Sequence, residues 1–333
     1  MLFLRGGSTM GYKLAGFDVI GCNEIDHRMM YAYCQNHDPK FPFLEPIQDF
    51  KLRNDLPEEL YNLDILDGSP PCSTFSMAGS REDAWGVEKK FREGQAKQVL
   101  DTLFFDFIDL AHKLQPKVVL GENVKGMLVG DAKKYVIEIY KAFDEAGYYC
   151  QHWLLDGQNM GVPQRRERVF FVCLRKDLAK PFLVQANIFE QKPVLDLTFK
   201  EKPIPFGCFR QENIVEYPIS DYYKTLWAKR KVGDLDFSCI NGRVRNKPNT
   251  GFCTNFIYTD KVCGTLTTKK DCQVLFDEPR YLNDFETMCA STYPQDYNFV
   301  GQSPQYLCGM SVPPIMIAQV ASRIYEQWLK KID

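Results

Sequence analysis

The sequence has no apolar run near the length of a membrane span, and no signal-peptide pattern stands before its first strand-like stretch. Both absences point away from an integral membrane or secreted protein, and the expected compartment is the cytoplasm. No Cys-x-x-Cys pair occurs, so the 12 cysteines do not read as a disulfide framework. Cys22, His27, Cys34 and His37 lie close in sequence, but their spacing matches no usual zinc pattern, and no metal is expected. Nor does one charge dominate: 41 Lys and Arg stand against 43 Asp and Glu, for a net charge of −2. That excludes a polycation that binds nucleic acid with its whole surface; such binding has to come from a local basic face. Internal repeats and low-complexity segments are also missing. The 333 residues suffice for one large domain or two ordinary ones.

What is present alternates between strand and helix. Residues 18–22, 63–66, 116–120, 148–155 and 168–174 read as strands; 26–35, 95–114 and 132–146 read as helices. Val99, Leu103, Phe107, Leu110 and Leu114 carry the helical period of the second of these. Such alternation predicts an α/β fold with a doubly wound, mostly parallel sheet. The pattern breaks near Lys176, and the Pro- and aromatic-rich residues that follow predict a second, smaller domain of irregular and β structure. A helix after Pro313-Pro314 returns to the first domain. The expected organisation is 1–177 plus 305–333 for one domain and 178–304 for the other.

The strand at 63–66 runs into Gly68-Ser69-Pro70-Pro71-Cys72-Ser73-Thr74-Phe75-Ser76. The Pro-Pro pair stops the strand and stiffens the turn. A thiol then sits at the carboxyl end of a parallel strand, where open α/β sheets place their chemistry. Around it, other segments follow in a fixed order: Gly6-Gly7-Ser8-Thr9-Met10-Gly11, Asn23-Glu24-Ile25-Asp26, Thr102-Leu103-Phe104-Phe105-Asp106, Glu122-Asn123-Val124, Gln164-Arg165-Arg166-Glu167-Arg168 and Gly309-Met310-Ser311-Val312-Pro313. Together these closely resemble the cytosine-5 DNA methyltransferase family over nearly the whole chain apart from residues 178–260. The resemblance implies a Rossmann-like methyltransferase fold, S-adenosylmethionine as cofactor and double-stranded DNA as substrate.

The chemistry explains the residue types. Carbon 5 of cytosine is a poor nucleophile, and a thiolate added at C6 turns the ring into an enamine that can attack a methyl sulfonium. By the resemblance, Cys72 is that nucleophile. Glu122 protonates or hydrogen-bonds N3, which requires a carboxyl that holds its proton near neutral pH. Arg168 donates to the cytosine O2, and Arg166 supports the site or a phosphate. The target carbon is unreachable inside a duplex, so the base must be flipped out. Between Cys72 and Gln95, Gly79, Gly86 and Gly94 supply hinges for a lid whose contacts include Arg81, Trp85 and Lys89.

For the cofactor, Gly6 and Gly7 let the backbone approach the ligand, Glu24 accepts the ribose hydroxyls and Ile25 packs on the adenine. Ile47, Leu103 and Val312 complete this expected set. The chain departs from the family at three places. The aromatic and first glycine of the first motif fall on Leu2 and Leu4, and the chain reads as starting too late for a full first strand. The Asp of the third motif falls on Pro46, and the Asn of the last motif on Met310. Weak cofactor binding is the expectation.

Residues 224–247 hold seven basic residues against two acidic ones. Arg243, Arg245, Lys247 and Lys269 are the expected base or phosphate contacts, from loops facing the Cys72 cleft, with Thr265, Thr267 and Thr268 at its edge. The leading reading is a monomeric DNA cytosine-5 methyltransferase of a restriction-modification or phage system, functionally paired with an endonuclease. Two others stand beside it: an RNA cytosine-5 methyltransferase, whose usual Cys-Phe-Thr segment is missing here, and a non-catalytic DNA-binding remnant.

Overall fold

A computed structural model of the chain describes residues 6–70, 88–89, 98–99, 102–130, 132–186, 191–212, 214, 217–246 and 254–332. Strands β1 (Gly21–Glu24) and β2 (Phe41–Leu44) pair in parallel. Strands β3 (Ile65–Gly68), β4 (Val118–Val124), β5 (Tyr148–Asp156) and β6 (Glu167–Arg175) form a sheet in the order β3-β4-β6-β5. β3 and β4 run parallel, while β6 runs antiparallel to both β4 and β5.

Successive side chains on a strand point to opposite faces, and the sheet sorts its residues accordingly. Leu66, Val119, Phe171 and Cys173 face one layer, with α3 (Leu103–Leu114) and α4 (Ala132–Glu145). Val118, Leu120, Phe170 and Val172 face the other, with α1 (Gly7–Leu14) and α9 (Pro314–Ile324). Helices on both faces make this the doubly wound α/β fold that the alternation predicts. Between β1 and β2 lies α2 (His27–His37), started by the Asp26 carboxylate, which accepts from the Arg28 and Met29 amides. Against the sequence expectation, the stretch Pro304–Ile332 is by length and composition alone apolar enough to cross a membrane, but its helix is interrupted at Ser311–Pro313. Most of it is buried, and Met316, Ile317, Val320 and Ile324 supply the second core layer.

Two sequence expectations shift. The helix expected from Gln95 begins at Leu103, because Gln98–Val99 instead pairs with Glu88–Lys89 as a short antiparallel ladder. The strand expected to end at Leu120 runs on to Val124. Gly121-Glu122-Asn123 reads as a polar turn, but pairing with β6 down to Val124 opposite Arg168 keeps it extended.

Residues 206–282 build small cores of their own. One holds Phe206, Ile257, Leu266 and Leu275, another Ile219, Leu226, Phe237, Phe256 and Val274. Here β7 (Asn255–Ile257) and β8 (Gln273–Leu275) pair in parallel. The region also contains two short helices that the sequence reading lacks, α5 (Asp221–Trp227) and α6 (Phe237–Arg245). Each is started by a side-chain cap, Ser220 and Asp236 respectively. Further on, α7 (Asp284–Ala290) and α8 (Pro304–Met310) lead back to α9. Ala179, Phe182, Leu195 and Leu197 pack into the second layer of the main core.

Candidate active site

Arg168 Nε lies 3.0 Å from Glu122 Oε1. The register produces this contact. Val124 is opposite Arg168 and Glu122 is opposite Phe170, so Glu122 and Arg168 are diagonal neighbours on one sheet face. Both side chains are largely buried, and the Glu167 carbonyl accepts from Arg168 Nη1 at 2.8 Å. A carboxyl and a guanidinium fixed side by side present the donor and acceptor pattern that a planar ring with adjacent N and O atoms can meet.

Arg166, two residues earlier, is 0 % exposed. Its Nη1 donates to Gln164 Oε1 at 3.2 Å and to the Leu266 carbonyl at 3.0 Å. Its Nη2 donates to the Gly309 carbonyl at 2.9 Å and the Ser311 carbonyl at 2.7 Å. Burial, and then the neighbouring Arg168, push the guanidinium well below its ordinary pKa. Arg166 therefore joins three distant segments from inside the protein. Of the two roles expected for it, the geometry supplies support for the site and leaves no exposed atom for a phosphate. Gln164 reinforces the junction, accepting from the Leu266 amide at 3.0 Å and donating to the Ala290 carbonyl at 3.1 Å.

Of the residues expected to bind the cofactor, Gly6 and Gly7 open α1, and Glu24 and Ile25 lie at the carboxyl end of β1. Gly6 has φ +79°, which favours glycine, and a Cβ there would lie 2.4 Å from the Tyr297 hydroxyl. A Cβ on Gly7 would lie 2.3 Å from the Val312 carbonyl, so the last motif packs directly on the first. Glu24 is buried at the end of β1, and its Oε1 accepts from the Ile25 and Asp26 amides at 2.8 and 3.0 Å. Ile25 is half-buried beside it. Ile47 and Leu103 are buried in one core layer, and Val312 in the other. At the carboxyl end of β3, the buried Asp67 Oδ2 has no hydrogen-bond partner among the described residues. Acidic groups at the ends of β1 and β3, one with an unsatisfied oxygen, fit a ligand that carries hydroxyls and positive charge.

Cys72, Arg81 and Lys247 lie outside the described residues, as do Leu2 and Leu4. Arg245 ends α6. Arg243 is turned back on its own segment: both Nη atoms donate to the Asp234 carboxylate, and Nη2 also to the Lys229 carbonyl. The charge expected to meet DNA is thus paired within the turn it closes. Thr265 Oγ1 donates to the Arg165 carbonyl at 2.7 Å.

Three features escape the sequence reading. Asp67 sits inside the strand that leads to Cys72, where the reading sees only apolar residues around it. Asp156 Oδ1 accepts from the Arg166 amide at 3.1 Å, a contact with no local sequence signal. The third does have a signal. Asn283-Asp284-Phe285-Glu286 is a capping box at the start of α7. Its Glu286 is completely buried and binds both Nη atoms of Arg280, at 2.7 and 2.9 Å.

Comparison with known proteins bears on this geometry. A family model for the C-5 cytosine-specific DNA methylase matches residues 5–326. The type II methyltransferase M.Sau96I of Staphylococcus aureus is 32% identical over 98% of this chain and 75% of its own length. M.FnuDI of Fusobacterium nucleatum, also a type II methyltransferase, is 32% identical over 74% of this chain, and the match spans 58% of that relative. Among solved structures, a Spodoptera frugiperda DNMT2 mutant superposes with a TM-score of 0.64 at 17% identity, covering 99% of this chain and 97% of that one.

Proposed function

Because the chain belongs to the C-5 cytosine-specific DNA methylase family, we propose that it methylates carbon 5 of a cytosine flipped out of duplex DNA. The observation that carries this reading is the Glu122–Arg168 pair, held at 3.0 Å beside the strand that leads to Pro71-Cys72. The cofactor of this family is S-adenosylmethionine, which supplies an electrophilic methyl group when bound. Glu24, Ile25 and the Gly6-Gly7 turn would hold it, with Ile47, Leu103 and Val312 behind them.

The protein's own groups then divide the work. The Cys72 thiolate adds to C6, and the electron pair displaced from the C5–C6 bond moves through the ring toward N3. The Glu122 carboxyl passes its proton to N3 and Arg168 donates to O2, so the charge that develops there is neutralised at two atoms. C5, now enamine-like, takes the methyl group. Transfer of the C5 proton to water then drives out the Cys72 thiolate, N3 returns its proton to Glu122, and the aromatic ring is restored. Arg166 touches none of these atoms; it positions Arg168 and the two segments around it.

Residues 178–304 are the proposed target-recognition domain, with the cores of residues 206–282 at its centre. The reading makes the substrate duplex DNA in the cytoplasm and the system one of restriction-modification type, in line with the relatives' names. Methyl transfer from labelled S-adenosylmethionine to mixed-sequence duplex DNA and to tRNA tests it. Label in DNA alone supports the reading, and label in tRNA alone replaces it with an RNA methyltransferase.

A further inference from the structure

Asp67 is an acid that the proposed chemistry leaves unused. It is 1 % exposed and lies in β3, five residues before Cys72. Its register partner in β4 is Leu120, so Asp67 shares a sheet face with Glu122, two residues further along the neighbouring strand. Along that face run Asp67, Glu122 and Arg168, each diagonal to the next. Glu122 holds Arg168 at 3.0 Å, and among the described residues Asp67 has no ion pair. From the layer above, α1 presents Ser8 and Tyr12, one turn apart, and the Tyr12 hydroxyl donates to Asp67 Oδ1 at 3.2 Å. The other oxygen, Oδ2, is buried without a hydrogen-bond partner among the described residues. A buried orphan oxygen on an acidic group costs free energy unless something fills its place. Its position, between the first turn of α1 and Glu122, is the junction of the cofactor loop and the catalytic face.

We propose that Asp67 Oδ2 receives the positive charge of the methyl donor. The inference rests on the methyltransferase reading above. A cation there would satisfy the orphan oxygen and balance the second carboxyl. The groups facing Asp67 are Ser8 and Tyr12 from α1 and Glu122 from β4. Burial chiefly, and Glu122 as well, raise Asp67 to about 7, against the pull of the amino-terminal charge and then of the Tyr12 and Ser8 hydroxyls toward the ionised form. Binding a cation favours the carboxylate, so at neutral pH it must expel the proton that Asp67 holds.

Calorimetry of S-adenosylmethionine and S-adenosylhomocysteine at pH 7, in two buffers of different ionisation enthalpy, counts that proton. The expected result is release of up to about half a proton per bound S-adenosylmethionine, lost in Asp67→Asn. Asp67→Asn should also weaken S-adenosylmethionine roughly tenfold at pH 8, the loss of one charge-assisted contact. S-adenosylhomocysteine keeps the ammonium but lacks the sulfonium. Release with both ligands assigns the contact to the ammonium, and release with S-adenosylmethionine alone assigns it to the sulfonium. Tyr12→Phe, which leaves Asp67 in place, should move the release to higher pH and serves if Asp67→Asn does not fold. Binding without proton release, or release undiminished in Asp67→Asn, overturns the proposal and leaves the methyltransferase reading standing. No binding of either ligand to the unaltered chain overturns that reading itself.

Discussion

Arg166 Nη2 lies 2.7 Å from the Ser311 carbonyl, a hydrogen bond across 145 residues of sequence. With its bonds to Leu266 and Gly309, it makes one buried side chain the joint between the catalytic strand, the segment returning from residues 206–282 and the C-terminal motif. Arg166→Ala would leave these carbonyls buried and unpaired. We expect a loss of roughly 3 kcal/mol or more in chemical denaturation. Arg166→Lys should recover little of it, since an ammonium cannot reproduce the planar fork.

Glu122→Gln keeps the shape and removes the acid. Methyl transfer should fall about 10²–10⁴-fold with DNA affinity nearly unchanged, as read by single-turnover assays beside a binding titration. Equal losses in both would make Glu122 a DNA-binding residue instead.

The Arg280–Glu286 pair is buried at both ends, 4% and 0% exposed by side chain. Glu286→Ala strips both Nη atoms of their carboxylate, leaving Glu278 at Nε (2.6 Å), and also removes half of the Asn283 capping box. The expected cost is about 3–5 kcal/mol in urea unfolding.

Asp67 gives stability a pH dependence of definite sign. Its folded pKa, about 7, lies above the ordinary 3.8, so the native state holds this proton longer than the unfolded chain does. The group's contribution therefore falls as pH rises from about 4 to about 7. Asp67→Asn should melt close to the unaltered protein at pH 4 and above it at pH 8. A variant that loses stability at both pH values would contradict this.

The sequence reading reaches furthest where chemistry depends on local order. The strand-helix alternation yields the two layers, and the short motifs name Glu122 and Arg168, whose contact follows from strand register. It falls short where partners are remote. Nothing near Arg166 in sequence announces Leu266 or Ser311, and composition alone cannot show that Arg243 is spent on Asp234. Glu122 itself is placed by tertiary pairing, since the polar run Gly121-Glu122-Asn123 gains its extended form from β6. The capping box at Asn283 was available locally, but its value lies in Arg280, brought to it by the fold.

The most direct test of the account is a covalent trap. The protein is incubated with S-adenosylmethionine and duplex DNA containing 5-fluorocytosine, whose fluorine blocks the final elimination, and run on a denaturing gel. The account predicts a protein–DNA adduct that disappears in Cys72→Ala. DNA that binds without forming an adduct, or an adduct that survives Cys72→Ala, would contradict it.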